Sequence, residues 1–410
     1  MGFLLSPVSE ELVSYNFMPV AEAKVKGKSP KGNSKKGPTG KTEKKKGKTV
    51  PKKKGGSKIS VVYTDTLTGE WIHRGNKSIV IHRDANGKVR AMSPFRTSPT
   101  VGKRYAEALN RYAEALKERG TKVYSLIAPS QGEFYMPPQI TDNVSQDEVI
   151  RKVAQYFNYD VTPIFVADNL RKHVDEGIYN STDHHWAPLG AFYAAEVLAR
   201  ELNVPFVPLD KYSTDSIRNY VGSMYNFSGD PAVKNNPELF VYFMPPGYYY
   251  SEFIDYKVVN QETKSESKKH EAPFFKKYPD GSGLAYCTFM GGDRYTVRIV
   301  NRNDNSGRKL LIVKDSFGNA VAPCLINSFD EVHVIDFRYF PHNLLDYVAD
   351  NDITDLVFIN CPSIALAQNT ANRFNKMMSL DESGSVAEVD DEEAEEEVIT
   401  TQTEDNGNNY

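Results

Sequence analysis

The stretch Tyr179–Gly190, YNSTDHHWAPLG, places an acid, two histidines and a tryptophan in four consecutive positions, and far downstream LLIVKDSFGN (310–319) ends an apolar run on a serine. A serine hydroxyl is a weak nucleophile until a base within hydrogen-bonding reach can take its proton. Asp183 and His185, two apart in an extended turn, would project to the same side. The carboxylate would then hold one imidazole nitrogen while the other faces Ser316. In that arrangement His184 points away, as a structural or substrate-contacting residue, and Trp186 packs behind His185 and keeps water out. Residue types alone leave other readings open. Asp, His and His also suit zinc or manganese, although adjacent histidines rarely share one ion and His173 is the only further candidate nearby. Ser316 could instead cap the helix that follows Asp315, and the histidine stretch could be no more than a polar turn.

The elements that must position these groups follow from hydrophobic patterning. KLLIVKDSFGNAVAPCLINSF reads as a buried strand, a sharp turn and a helix. Ser316 then lies at the strand's carboxyl end, with the amides of the next helix pointing towards it, where they would stabilise an oxyanion. PLGAFYAAEVLARELN reads as an amphipathic helix, so Asp183–Trp186 form the loop at its N-terminal end. RYAEALNRYAEALKERG predicts a helix with Tyr105, Leu109, Tyr112 and Leu116 on one face and Gly120 as its stop. SIVIHR, KVYSLIAP, VTPIFV and EVHVIDFRYF read as strands. QDEVIRKVAQYF and DNLRKHVDEG read as helices, and NLLDYVADNDITDLVFIN as a helix followed by a strand. Such alternation predicts a three-layer α/β domain, a parallel sheet covered on both faces. Its ligand site lies at the strands' carboxyl ends, which places Asp315–Ser316, Asp336–Arg338 and Asn360 along one rim. Residues from about 210 to 293, rich in Tyr, Pro, Lys and Ser and weakly periodic, read as an irregular or β-rich excursion.

Composition bounds the rest. The 410 residues, 40 % hydrophobic and 25 % charged, suit a globular protein with a sizeable core. Aromatics make up 11 %, which fits a surface that holds sugars or peptides and equally fits a plain core. The net charge of −3 hides an asymmetry: fifteen lysines against one glutamate over residues 24–58, and DDEEAEEE at Asp390–Glu397. Segments so poor in apolar residues cannot offset the entropy of folding and are expected to be disordered. The chain thus divides into a lysine-rich segment 1–57, a globular unit 58–378 and an acidic tail 379–410. The lysine tract would bind polyanions by charge alone. Without interleaved aromatics or arginines to read bases it implies no specific nucleic-acid partner, and it reads as a solvated tail or an envelope-surface tether. Three cysteines without CxxC spacing cannot all pair, and Cys324 and Cys361 read as core. No run approaches the roughly 20 apolar residues of a membrane span. The N-terminus has no basic region and makes a poor signal peptide, and Gly2–Ser6 formally fits an acylation pattern.

Taken in order, STDHHWAPLGAFYAA, LLIVKDSFGNAVAPCL and EVHVIDFRYF resemble the DHHW family of bacterial proteins. These are similar to the periplasmic proteins that O-acetylate alginate through SGNH-hydrolase-like domains, and the similarity spans roughly Gly69 to Asn360. The resemblance implies Asp183 as orienting acid, His185 as general base and Ser316 as nucleophile. It also implies a circularly permuted motif order, because ordinary SGNH enzymes place the serine first. Asp336, Arg338 and Tyr339 match the third block, whose polar residues line the site, with Arg338 either contacting substrate or ordering the loop. His184, Trp186 and Asp315 flank the triad. At another strand end, IAPSQGEFYMP offers Ser130, Gln131 and Tyr135 as wall residues or as a structural turn. The implied function is a serine esterase or O-acetyltransferase acting on a cell-envelope or secreted polysaccharide through an acyl-enzyme. It would use no metal or cofactor, take a membrane acyl-donor protein as partner and work outside the cytoplasm. The alternative is a non-catalytic glycan-binding or polysaccharide-assembly protein of the same fold. Nothing in the sequence specifies the oligomeric state.

Overall fold

The computed structural model describes residues 60–380, apart from 66–68, 75–78, 84–86 and 303–305, and gives the backbone alone for 60–65 and 69–74. The two charged segments therefore lie outside the described residues, save for Ser379 and Leu380. The described residues begin with four antiparallel strands, β1 (Ser60–Asp65), β2 (Gly69–Arg74), β3 (Ile79–Arg83) and β4 (Val89–Met92), in a small sheet of their own. The remaining strands are β5 (Lys122–Ile127), β6 (Val161–Ile164), β7 (Ser213–Tyr220), β8 (Glu238–Met244), β9 (Tyr249–Val259), β10 (Glu262–Glu266), β11 (His270–Glu271), β12 (Tyr295–Asn301), β13 (Lys309–Lys314), β14 (Glu331–Asp336) and β15 (Asp355–Asn360).

The main sheet runs β10-β9-β12-β14-β13-β15-β5-β6, with β11 also paired to β9. Strands β14, β13, β15, β5 and β6 are parallel. Alternate residues of each strand face opposite helical layers. Leu310 and Ile312 of β13 point into the cluster that holds the helix Pro188–Glu201, while Leu311 and Val313 point to the other side. There Tyr105, Leu109, Tyr112 and Leu116 form the buried face of the helix Lys103–Leu116, as their spacing predicts. The helices Gln146–Val153, Leu344–Asp350 and Gln368–Met378 complete that layer. Cys324 and Cys361 are buried, and all three cysteines are free thiols.

The sheet is not parallel throughout. β12 runs antiparallel to both of its neighbours, β14 and β9, and the link 302–308 to β13 is too short for the dozen or more residues a parallel crossover requires. The excursion is also more ordered than its weak periodicity suggests. It supplies β9–β11 to the main sheet and a separate β7–β8 hairpin. No described helix is long and apolar enough to cross a membrane.

Candidate active site

The DHHW loop is pinned from several elements. Its ends are bridged between Tyr179 and Trp186, and the Asn180 side-chain amide donates to the Trp186 carbonyl at 3.0 Å. Glu238, at the start of β8, accepts from the backbone amides of Ser181 and Thr182, each at 2.8 Å. Gln131 donates to the Asp183 carbonyl at 3.1 Å and to Ala91 of β4 at 2.7 Å. Its own amide oxygen accepts from Arg90 at 2.9 Å. Ser130 is tied to Gln146 and the Tyr135 hydroxyl to the Val174 carbonyl. These three residues thus form a structural turn behind the loop.

Asp183 Oδ1 accepts both from the His185 backbone amide at 2.9 Å and from His185 Nδ1 at 2.6 Å. His185 Nε2 lies 2.6 Å from Ser316 Oγ, across 131 positions of sequence. The geometry comes from an Asx-turn, in which a carboxylate accepts from the amide two residues on, rather than from extended alternation. For that reason His184 does not point away. Its ring centroid is 3.7 Å from that of His185, and its Nδ1 lies 2.5 Å from Ser223 Oγ. Trp186 is fully buried against Phe317 and donates its indole N–H to the Phe317 carbonyl at 3.1 Å, so it braces the serine turn.

Asp183 is itself clasped by the chain after β7. Ser223 N donates to its Oδ2 at 2.8 Å. At Gly222 an added Cβ would overlap the Asp183 Cβ and come within 2.5 Å of Oδ2. Burial alone would raise the Asp183 pKa, but the neighbouring His185, His184 and the Ser223 amide outweigh it and hold the carboxyl well below its usual range. It is therefore a permanent anion facing Nδ1–H, the role an orienting acid needs.

Burial, and then the nearness of His185, push His184 down to about 3. Between that value and the unfolded value near 6.5, the unfolded chain binds the extra proton. Stability then falls as pH drops below about 6.5. Thermal melts of wild type and His184→Gln between pH 7.5 and 5 should show the shallower decline in the variant. Equal slopes would count against a neutral buried His184.

Ser316 lies half-buried two residues past the end of β13, and Asp315, not Ser316, is the cap. Asp315 Oδ1 accepts from Phe317 N at 2.9 Å, and Oδ2 reaches across to Cys361 N at 2.7 Å. The expected α-helix after the serine is absent. Two 3-10 segments, Ser316–Ala320 and Ala322–Ser328, take its place, and Pro323 can donate no amide to an α-helical ladder. The amides of Phe317 and Gly318 both turn back to Asp315, so they are not aimed at an oxyanion.

Beneath the serine turn lies a partly buried ion network, with Lys314 and Asp336 fully enclosed and Asp293 and Arg338 half-buried. Lys314 Nζ binds Asp293 at 3.0 Å and Asp336 at 2.8 Å. Arg338 grips both oxygens of Asp336, at 2.8 and 2.6 Å, and reaches Asp293 at 3.0 Å. Two cations thus balance two carboxylates, as burial of charge demands. Arg338 orders the loop after β14. Tyr339 lies beside it, with the guanidinium 5.4 Å from its ring centre and its carbonyl held by Thr263. Asn360 ends β15 fully buried, on the sheet face opposite Lys314. Asp293, paired to Lys314, and Tyr286, stacked on His185, escaped sequence reading because they sit in the weakly patterned excursion. The pair of glycines just before Asp293 was the one local signal of a tight loop there.

Among the described residues, Asp183, His184 and His185 are the one group of this kind whose ligand atoms lie within 4.8 Å of one another. Both oxygens of Asp183, both ring nitrogens of His185 and Nδ1 of His184 already have hydrogen-bond partners. His173 is remote from them, stacked on Tyr193 and bonded to Glu176. The donor set fits a proton relay better than an ion.

The fold is a three-layer α/β frame in which a strand-end serine faces an Asp-x-His loop. Residues 86–335 match the family model for DHHW proteins, and the chain belongs to that family. A DHHW family protein from Eubacterium siraeum is 34 % identical over 73 % of this chain and 95 % of its own, with a TM-score of 0.65. Bacillus cereus PatB1, solved with a sulfonyl adduct, shares the fold at 18 % identity and a TM-score of 0.55, over 76 % of this chain and 99 % of its own. No curated protein matches.

Proposed function

We propose that the protein is a serine esterase or O-acetyltransferase acting on a polysaccharide of the cell envelope or a secreted one. The observation that carries this reading is the unbroken line from Asp183 through His185 to Ser316, with both links at 2.6 Å. The Ser316 oxygen attacks the acyl carbonyl while His185 Nε2 takes its proton. The departing alcohol receives that proton, which leaves an acyl-serine. A sugar hydroxyl or water, deprotonated by His185, then releases the acyl group and restores the serine. Asp183 holds the imidazole tautomer and the positive charge it gains. The sequence resemblance to alginate-acetylating proteins supports an acetyl group, a glycan acceptor, an extracytoplasmic location and a membrane-bound acyl donor, with residues 58–378 as the working unit.

The test combines turnover of p-nitrophenyl acetate with labelling by phenylmethylsulfonyl fluoride. One adduct per chain, mapped to Ser316 by mass spectrometry, and turnover unchanged by EDTA are the expected results. An adduct elsewhere, none at all, or loss of turnover on chelation would overturn the triad reading.

A further inference from the structure

We infer that Tyr286 is a positioning residue for the Ser316–His185 pair, an assignment that rests on the triad reading above. Its ring stacks on the His185 imidazole with centroids 3.8 Å apart and planes 3° from parallel. His184 approaches the same imidazole at 3.7 Å. Two rings that close must lie on opposite faces, so His185 is sandwiched and cannot swing about its own side-chain bond. The Tyr286 hydroxyl meanwhile donates to the Ser316 carbonyl at 2.9 Å. One side chain therefore touches the face of the base and the backbone of the nucleophile, and so sets the spacing between them.

Tyr286 is well placed for this. It sits in the 3-10 turn Ala285–Thr288, is 5 % exposed, and is wedged against Phe240 and Phe289. A rigid ring held by its own neighbours transmits that rigidity to the imidazole. A flexible aliphatic chain of similar size would fill the space without aligning the plane. Misplacement of a reacting group by about 1 Å can lower a rate about 100-fold, so the ring plane is worth fixing.

The experiment compares wild type, Tyr286→Phe and Tyr286→Leu in p-nitrophenyl acetate turnover and in the rate of Ser316 sulfonylation. Tyr286→Leu should lower kcat and the sulfonylation rate by about 10- to 100-fold with KM unchanged. Tyr286→Phe keeps the stack and should recover most of that loss, leaving a deficit of about 2- to 5-fold from the missing hydroxyl. Should leucine unfold the turn, Tyr286→Met, closer in length and also without a ring, carries the same comparison. A folded ringless variant with wild-type rates, or a rise in KM with kcat intact, would overturn the inference while leaving the triad standing. Wild-type protein that neither turns over ester nor takes a label on Ser316 would remove the triad reading, and this inference with it.

Discussion

Ser316→Ala should lower ester turnover by about 10⁴-fold or more, and His185→Ala should cost about as much. The two effects should not multiply. A base with no nucleophile to serve and a nucleophile with no base are the same defect, so the double variant should resemble either single one. The short Nε2···Oγ contact supports this size of effect, since the proton has one route away from the hydroxyl. Asp183→Asn should be comparably severe, because an amide in place of the anion can present an N–H to Nδ1 and turn the imidazole to the wrong tautomer. Steady-state rates on protein with a wild-type melting temperature would check all four variants. Ser316→Ala with more than a tenth of wild-type activity would mean that another group carries the acyl chain.

Gly222→Ala should damage both stability and turnover through a single added methyl group. Gly222 has φ −88° and ψ −163°, which an alanine adopts without strain, so backbone conformation is not the obstacle. The obstacle is Asp183, whose Cβ and Oδ2 occupy the space the methyl would take. Relief requires either the carboxylate to leave the Asx-turn or the chain after β7 to back away and break the Ser223–Asp183 bond. The expected result is a loss of about 1–3 kcal/mol of stability, the usual cost of overpacking, and about a 100-fold fall in turnover from the displaced acid. Gly283→Ala serves as the control. Its nearest neighbour, the Val221 carbonyl, is 3.6 Å from the added methyl, so both stability and turnover should stay near wild type. Equal behaviour of the two variants in denaturation and kinetics would refute the clasp.

Much of the frame, and the strand end and loop that carry Ser316, Asp183 and His185, were legible in the sequence for one reason: local pattern reports local burial. The apolar run before Ser316, the heptad spacing of the helix Lys103–Leu116 and the helix after Trp186 each announce an element that buries one face. What was not legible depends on contacts between distant segments. The Gly222–Ser223 clasp and the stack of Tyr286 on His185 join positions roughly 40 and 101 apart, and neither leaves a period in the chain. The orientation of His184 turned on a single Asx bond that replaces alternation, and the break into 3-10 turns after Ser316 on how Asp315 and Pro323 divide the amides. The pairing of Arg338 with both Asp293 and Asp336 was not legible either, because Asp293 arrives from the excursion.

That origin has a practical consequence. Gly222, Ser223, Tyr286 and Asp293 all come from the excursion and its connections, yet they hold residues that belong to the α/β frame. The segment cannot be treated as a removable decoration. A chimera that exchanges substrate preference between family members should transplant residues from about 210 to 293 together with the DHHW loop and the serine turn as one cassette. Swapping the excursion alone would pair a foreign clasp with a native acid and leave the recipient inert even where it folds.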